Sequence, residues 1–281
     1  MEESMNYEYK KTAHKIIFGD SRNMEQIKDC SVDLIVTSPP YPMIKMWDDQ
    51  FKRAGANTYE EMHDYLSNVW KESFRVLKSG GLMCINIGDA TRTIDHKFKL
   101  YPNHSKVIDN CEKIGFETLP YIIWKKPSNK PNAFLGSGFL PPNGYVTLDC
   151  EFILIFRKGS LRKFEPHDEK RYMSKFTKEE RDIWFSQIWE INGVRQSNKK
   201  LERRTAEYPE EVVERLVRMF SVIGDIILDP FAGTGTTLSV AKRLNRNSIG
   251  YEIDNTFIPI IKEKIGYNQQ IIFDYNTDKK N

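Results

Sequence analysis

A chain of 281 residues, 40% hydrophobic and 12% aromatic, can bury a full core as one large α/β domain with a small insert. No apolar run approaches the roughly 20 residues of a membrane span, and Met1-Glu2-Glu3-Ser4 is no basic, apolar leader, so neither membrane insertion nor export is expected and the expected location is the cytoplasm. The net charge of +3 excludes a polycation, and the cysteines at 30, 84, 111 and 150 have no metal-ligand spacing; Cys84 and Cys150 abut apolar runs and are expected in the core.

In chain order, Lys15 to Phe18 predicts a strand ending at Gly19-Asp20, and Val32 to Val36 a buried one. Tyr59 to Leu77 predicts a helix with Met62, Leu66, Val69, Trp70 and Phe74 along one side, stopped by Lys78-Ser79-Gly80-Gly81. A strand over Leu82 to Ile87 and a helix over Ser105 to Ile114 follow, then strands over Glu117 to Trp124 and Glu151 to Arg157. The intervening Pro127 to Val146 reads as a long loop. Residues 160 to 204 are polar and read as a small insert, anchored by the aromatics between Trp184 and Trp189. Glu207 to Phe220 predicts a helix with Pro209 in its first turn. A strand over Ile226 to Leu228, a helix over Thr236 to Leu244, a strand over Ser248 to Glu252 and a helix over Ile258 to Ile265 complete the pattern; Ile271-Ile272-Phe273 can pack in the tail. This alternation argues for a doubly wound, mostly parallel sheet covered on both faces.

Two segments carry chemistry, and each follows a buried strand. Asp229-Pro230-Phe231-Ala232-Gly233-Thr234-Gly235-Thr236-Thr237 joins a strand to a helix. Its glycines let a ligand approach the backbone, and the helix start presents free N–H groups. Glu252 closes the next strand, where a nucleotide fold places the acid that holds two ribose hydroxyls. No lysine follows the second glycine, which argues against a nucleoside-triphosphate loop. The bland alternative is a structural turn. Asp229 could receive an ammonium group or hold the loop backbone.

The second segment is Thr37-Ser38-Pro39-Pro40-Tyr41. Its prolines fix an extended backbone with a carbonyl free to accept. A planar base could stack on Tyr41 while its exocyclic amine donates to the Ser38 hydroxyl and the Pro39 carbonyl; serine can also donate toward a ring nitrogen. Met43, Trp47 and Phe51 could line the mouth of such a site or be core.

Taken in order, these segments resemble the beta class of S-adenosylmethionine-dependent DNA amino-methyltransferases over roughly residues 14 to 265. Gly19-Asp20, Gly250-Tyr251-Glu252, Arg204 to Pro209 and Trp124-Lys125-Lys126-Pro127 match the pattern too. The resemblance implies a seven-stranded Rossmann-like methyltransferase sheet: a catalytic half over 1–159, a target-recognition insert over 160–204 and a cofactor-binding half over 205–281. It implies S-adenosylmethionine as cofactor, with no metal, bound by Asp20, Asp229, Phe231, Gly233, Gly235, Thr236, Thr237 and Glu252. Catalysis would fall to Ser38, Pro39, Pro40 and Tyr41. A serine in this motif goes mainly with cytosine N4 targets and an aspartate with adenine N6, which leaves adenine as the alternative. Protein-glutamine methyltransferases carry asparagine and the reverse motif order, and a binding-only protein would not need the intact carboxylates.

The target atom lies inside a duplex, so the base would be flipped out. Double-stranded DNA would be held by Lys125, Lys126, Arg195, Lys199, Lys200, Arg203 and Arg204, a set that equally suits a solvated face. A short recognition region suggests a homodimer on a palindrome, and a cognate restriction endonuclease is an expected partner.

Overall fold

The computed structural model describes residues 11–127, 135–136, 140–193, 208–266 and 268–273. Its elements are β1 (His14–Phe18), β2 (Val32–Thr37), α1 (Asp48–Arg53), α2 (Tyr59–Val76), β3 (Leu77–Ile87), β4 (Ala90–Ile94), β5 (Lys97–Tyr101) and α3 (Asn103–Ile114). They continue with β6 (Glu117–Lys125), β7 (Leu135–Gly136), β8 (Gly144–Tyr145), β9 (Cys150–Arg157), α4 (Glu169–Met173), α5 (Lys178–Trp184) and β10 (Ile188–Glu190). The last are α6 (Glu210–Phe220), β11 (Ile226–Asp229), α7 (Thr236–Arg243), β12 (Asn247–Glu252), α8 (Ile258–Ile265) and β13 (Gln270–Phe273).

Among the described residues one sheet runs β10-β6-β9-β3-β2-β11-β12-β1-β13. Only β9 is antiparallel to its neighbours, β3 and β6. Alternate residues of the central strands serve opposite faces. Ile35 and Leu228 pack with Leu66, Val69 and Trp70 of α2 and Val107 of α3. Leu34, Val36 and Ile227 pack with Val212, Val213 and Leu216 of α6 and Val240 of α7. The expected doubly wound α/β architecture is therefore present, but the expected seven strands are nine. The added pair are the two edges, β10 and β13, whose three and four residues are too few to show a period.

Helix α2 starts on a capping box: Glu61 N–H donates to Thr58 Oγ1 at 3.2 Å, and Thr58 N–H donates to Glu61 Oε2 at 2.9 Å. No glycine cap ends it. Leu77 is already extended and opens β3, so Lys78 to Gly81 lie inside a strand. Gly80, at φ +82°, carries an irregularity there, donating from its N–H to the Lys158 carbonyl at 2.7 Å. The hairpin β4–β5 was not legible in its charged sequence; its two turn residues, Asp95 and His96, both take positive φ.

The described part of residues 160–204 does not stand apart from the sheet. β10 pairs parallel with β6, Trp189 is fully buried, and Trp124 Nε1–H donates to the Ile191 carbonyl at 2.8 Å. Pro209 is the residue before α6 rather than within its first turn. Cys84 is buried as expected, whereas Cys150, at the open start of β9, is half-buried.

Candidate active site

The parallel neighbours β2 and β11 lie at the point where the chain's path across the sheet reverses: β2 leads toward β3, and β11 toward β12. Loops leaving such a pair part to opposite faces and open a crevice at the carboxyl ends of the strands. Both motifs leave there. Leu34 pairs with Ile227 and Ile35 with Leu228, so Thr37 and Asp229 end side by side.

Thr37 Oγ1 donates to Asp229 Oδ1 at 2.7 Å and joins the two motifs directly. Phe231 N–H reaches the same oxygen at 3.0 Å, and Thr237 Oγ1 donates to Oδ2 at 2.6 Å. Tyr208 OH lies 2.5 Å from Thr237 Oγ1. Asp229 is 1% exposed, and burial pushes its carboxyl up to about 6 against these three donors. This is the geometry of a group holding its loop.

The turn that follows takes Gly233 through φ +50° and Gly235 through φ +82° into α7. Space above Gly233 is open: a Cβ built there meets nothing within 4 Å. Gly233 N–H donates to Glu252 Oε2 at 2.7 Å, and Ile253 and Asp254 N–H donate to Oε1 at 2.9 and 2.8 Å. Although Glu252 keeps a partly open face, the crowding around its carboxyl pushes it up to about 7. Asp20 follows β1, which pairs with β12; Gly19 N–H donates to the Glu252 carbonyl at 2.9 Å. Its carboxylate takes Arg22 Nε at 2.8 Å and Nη2 at 2.6 Å, and that guanidinium lies 4.7 Å from the Tyr65 ring centre. Phe231 meets Trp70 edge-on at 6.2 Å. Carboxylates, an aromatic ring and an open backbone turn thus share one arc, a donor set suited to the hydroxyls and base of a nucleoside.

On the other side of the crevice Pro39 and Pro40 are buried, and Ser38 and Tyr41 are half-buried. Ser38 Oγ lies 3.2 Å from Tyr41 OH, which donates to Glu151 Oε2 at 2.8 Å. Asn86 Nδ2 donates to Tyr41 OH and to Glu151 Oε2, both at 2.7 Å. Lys126 Nζ donates to Glu151 Oε1 and lies 4.5 Å from the Trp124 ring centre. The loop beyond Tyr41 is pinned by Asn103, whose Nδ2 donates to the Pro42 carbonyl at 3.0 Å and to the Gly88 carbonyl at 2.9 Å.

Lys126, read from sequence as a phosphate contact, is thus engaged inward beside Tyr41. Lys125 points outward, 3.4 Å from Glu190. Arg195, Lys199, Lys200, Arg203 and Arg204 lie outside the described residues. Met43 and Phe51 are core, and Trp47 packs partly against it. Thr37 and Tyr208 stood in segments matched from sequence but were given no role of their own, and sequence reasoning missed Asn86 and Glu151 as members of the site. The available signal was weak: Asn86 and Glu151 are lone polar residues in apolar strand runs. Among the described residues no group of His, Cys, Asp or Glu is arranged to hold a metal ion, and no helix is long and apolar enough to cross a membrane.

The pattern of the N6/N4 methyltransferases, a family described as DNA methylase, matches residues 32–263. The chain belongs to the N6/N4 DNA methylase family. Within it, the chain is 60% identical to the Type II methyltransferase M.MjaI of Methanocaldococcus jannaschii, over 95% of this chain and 96% of that one. It is 48% identical to the Type II methyltransferase M.MthZI of Methanothermobacter thermautotrophicus, over 91% and 77%. Its fold is similar to that of a candidate DNA modification methylase from Thermus thermophilus crystallised with S-adenosyl-L-methionine. That likeness has a TM-score of 0.75 at 34% identity and covers 93% of this chain and 98% of the other. A cytosine-N4-specific enzyme, PvuII DNA methyltransferase, shares the fold with a TM-score of 0.61 at 20% identity, over 95% and 99%.

Proposed function

We propose that this N6/N4 DNA methylase is a site-specific enzyme that moves the methyl group of S-adenosylmethionine to the N4 amine of a flipped cytosine. The observation that carries amino-methyl transfer is the hydroxyl of Ser38, held at the carboxyl end of β2 across the crevice from the glycine turn after β11; the choice of N4 rests on the resemblance, in which serine rather than aspartate at this position goes mainly with cytosine. S-adenosylmethionine supplies an electrophilic methyl group on a sulfonium centre. Glu252 would hold its ribose hydroxyls, Asp20 and Phe231 would flank its adenine, and Gly233, Gly235, Thr236 and Thr237 would carry it along the turn. Asp229 would brace that turn. No metal enters the reaction.

An exocyclic amine is a poor nucleophile because its lone pair is delocalised into the ring. Two acceptors, Ser38 Oγ and the Pro39 carbonyl, would draw its hydrogens out of plane and aim the lone pair at the methyl group. Tyr41 would give the base a stacking face. Flipping costs a few kcal/mol of unstacking, which pocket contacts must offset.

The described insert over 160–193 and the basic segment after it would read the DNA, as the target-recognition part of a protein whose halves are 1–159 and 205–281. Its Type II relatives support a cognate restriction endonuclease as functional partner, and a homodimer would match a palindromic site. The test is digestion of DNA methylated by the purified protein, followed by nucleoside mass analysis. N4-methylcytosine is expected. N6-methyladenine would replace the target with the alternative, and no modified base on diverse DNA would reject the activity.

A further inference from the structure

Hydrogen-bond polarity around Tyr41 is forced by what each partner is able to donate. Glu151 accepts at both oxygens: Oε1 is held by Lys126 Nζ. Glu151 Oε2 therefore takes donors from Asn86 Nδ2 at 2.7 Å and Tyr41 OH at 2.8 Å. The orientation of the Asn86 amide follows from the same rule, since its oxygen turned this way would face the carboxylate. Tyr41 has one proton, and Glu151 receives it. The phenol oxygen then accepts from Asn86 at 2.7 Å and from the Ser38 hydroxyl at 3.2 Å. With the Tyr41 proton on Glu151, Ser38 is the donor of its contact with Tyr41, which leaves the Ser38 oxygen to accept from a base in the crevice.

We infer that Ser38, Tyr41 and Glu151 form a proton wire that carries the amine proton away from the target base and ends on Glu151. This rests on the methyltransferase reading above. In the transfer, the carbon–sulfur bond of the methyl donor breaks and its electron pair stays on sulfur. The amine lone pair forms the new carbon–nitrogen bond, leaving nitrogen positive with a surplus proton. That proton passes to Ser38 Oγ as the Ser38 proton passes to Tyr41 and the Tyr41 proton to Glu151. Tyr41 OH already donates to Glu151 Oε2, the direction in which the wire runs.

Burial holds the Tyr41 phenol well above its ordinary range, so it conducts by taking one proton as it gives another rather than by ionising. A methylated exocyclic amine that still carries its extra proton is a far stronger acid than a carboxylic acid, because losing the proton restores delocalisation into the ring. A carboxylate paired with lysine is therefore basic enough. Lys126 Nζ sits against Glu151 Oε1, the oxygen that the wire leaves free. The pair's side chains remain 16% and 19% exposed, which lets the proton leave to water. Among the described residues, the titratable groups facing the wire are Lys126, just past β6, and, through Tyr41, Tyr208. Glu151 acts through the other two as a positioning residue, and its role as proton terminus makes a distinct prediction.

The experiment compares the parent with Glu151→Gln and Tyr41→Phe in single-turnover transfer of a tritiated methyl group to unmethylated phage DNA, in light and heavy water. S-adenosylmethionine binding is followed by calorimetry and DNA binding by fluorescence anisotropy. Gln keeps an acceptor for Tyr41 but cannot be the proton's terminus; Phe keeps the ring and removes the link. Both variants should bind the two substrates within about twofold of the parent and lose about 100-fold or more in the transfer step, the scale of a lost general base. The parent rate should fall in heavy water, and that sensitivity should be altered in both variants. A Glu151→Gln rate close to the parent's, a loss explained wholly by weaker binding, or a parent rate indifferent to heavy water would each overturn the wire. A parent that methylates no DNA would instead overturn the underlying activity, so the two failures are distinguishable.

Discussion

The hydrogen bond from Thr37 to Asp229 joins two segments 192 residues apart and is the most informative bond to remove. Thr37→Val keeps the shape of the side chain, which is fully buried, and deletes only the hydroxyl. Asp229 then keeps two of its three donors, Thr237 and Phe231. A hydrogen bond to a charged acceptor is worth about 1.5–3 kcal/mol, one to a neutral acceptor about 1 kcal/mol. Which figure applies depends on pH. The Asp229 carboxyl is raised from 3.8 to about 6, so the folded state holds its proton where the unfolded chain has lost it. The resulting penalty is absent below about pH 4, grows as pH rises, and reaches roughly 3 kcal/mol above about pH 6. Removing Thr37's hydroxyl disfavours the ionised carboxylate further and moves the upper end of that window upward. Thr37→Val should therefore cost about 1 kcal/mol at pH 5 and about 2–3 kcal/mol at pH 7.5. Urea unfolding of both proteins at the two pH values measures this, because every other titrating group cancels in the comparison. An equal loss at both pH values, or a larger one at pH 5, would refute the assignment of Asp229 as a buried carboxylate held across β2 and β11.

Gly250→Ala places a Cβ 2.9 Å from Leu238 Cδ1 and 3.0 Å from both Ala232 Cβ and Ile16 Cδ1; thermal denaturation should show a loss of about 1–3 kcal/mol. Calorimetry should show weaker S-adenosylmethionine binding too, since Ala232 lies in the turn. Glu252→Ala removes the acceptor of three backbone N–H groups, and cofactor affinity should fall with it. In the parent that affinity should climb as pH rises toward about 7, because the carboxyl must lose its proton to accept two hydroxyls; the variant should lack this climb. Trp189→Ala should cost about 3–5 kcal/mol by unseating β10, and a loss under 1 kcal/mol would mean that the edge strand is not anchored there.

The seven inner strands were legible because each is an apolar run bounded by glycine, proline or aspartate. The edges were not: Ile188-Trp189-Glu190 shows no alternation, and Gln270 to Phe273 sits in a polar tail. Gly80-Gly81 reads as a helix stop, yet the helix ends on an extended Leu77 and the glycines fall within β3. The two motifs were legible for their backbone demands, a double proline and a glycine turn. Their support was not, because it depends on register. Asn86 pairs with Ile153, so Glu151, two residues along β9, shares its face and meets it diagonally. No local signal in either strand marks that meeting. Nor did the sequence show that Lys126, just past β6, meets Glu151.

The order of the two motifs is not imposed by the crevice. What a crevice between two loops requires is that their strands be parallel neighbours ending at one level, with the chain departing in opposite directions. β2 and β11 meet that requirement although 192 residues separate Thr37 from Asp229. Chain order enters only through the connections between the strands. Exchanging which motif comes first therefore leaves the reacting geometry intact so long as β2 and β11 stay paired. It follows that the order distinguishes classes of enzyme without distinguishing their chemistry. The side chains at the crevice must decide between the N4 and N6 amines, and Ser38 in the proposed acceptor role would accept from either. Discrimination between the two bases then falls to whatever contacts the ring beyond the amine.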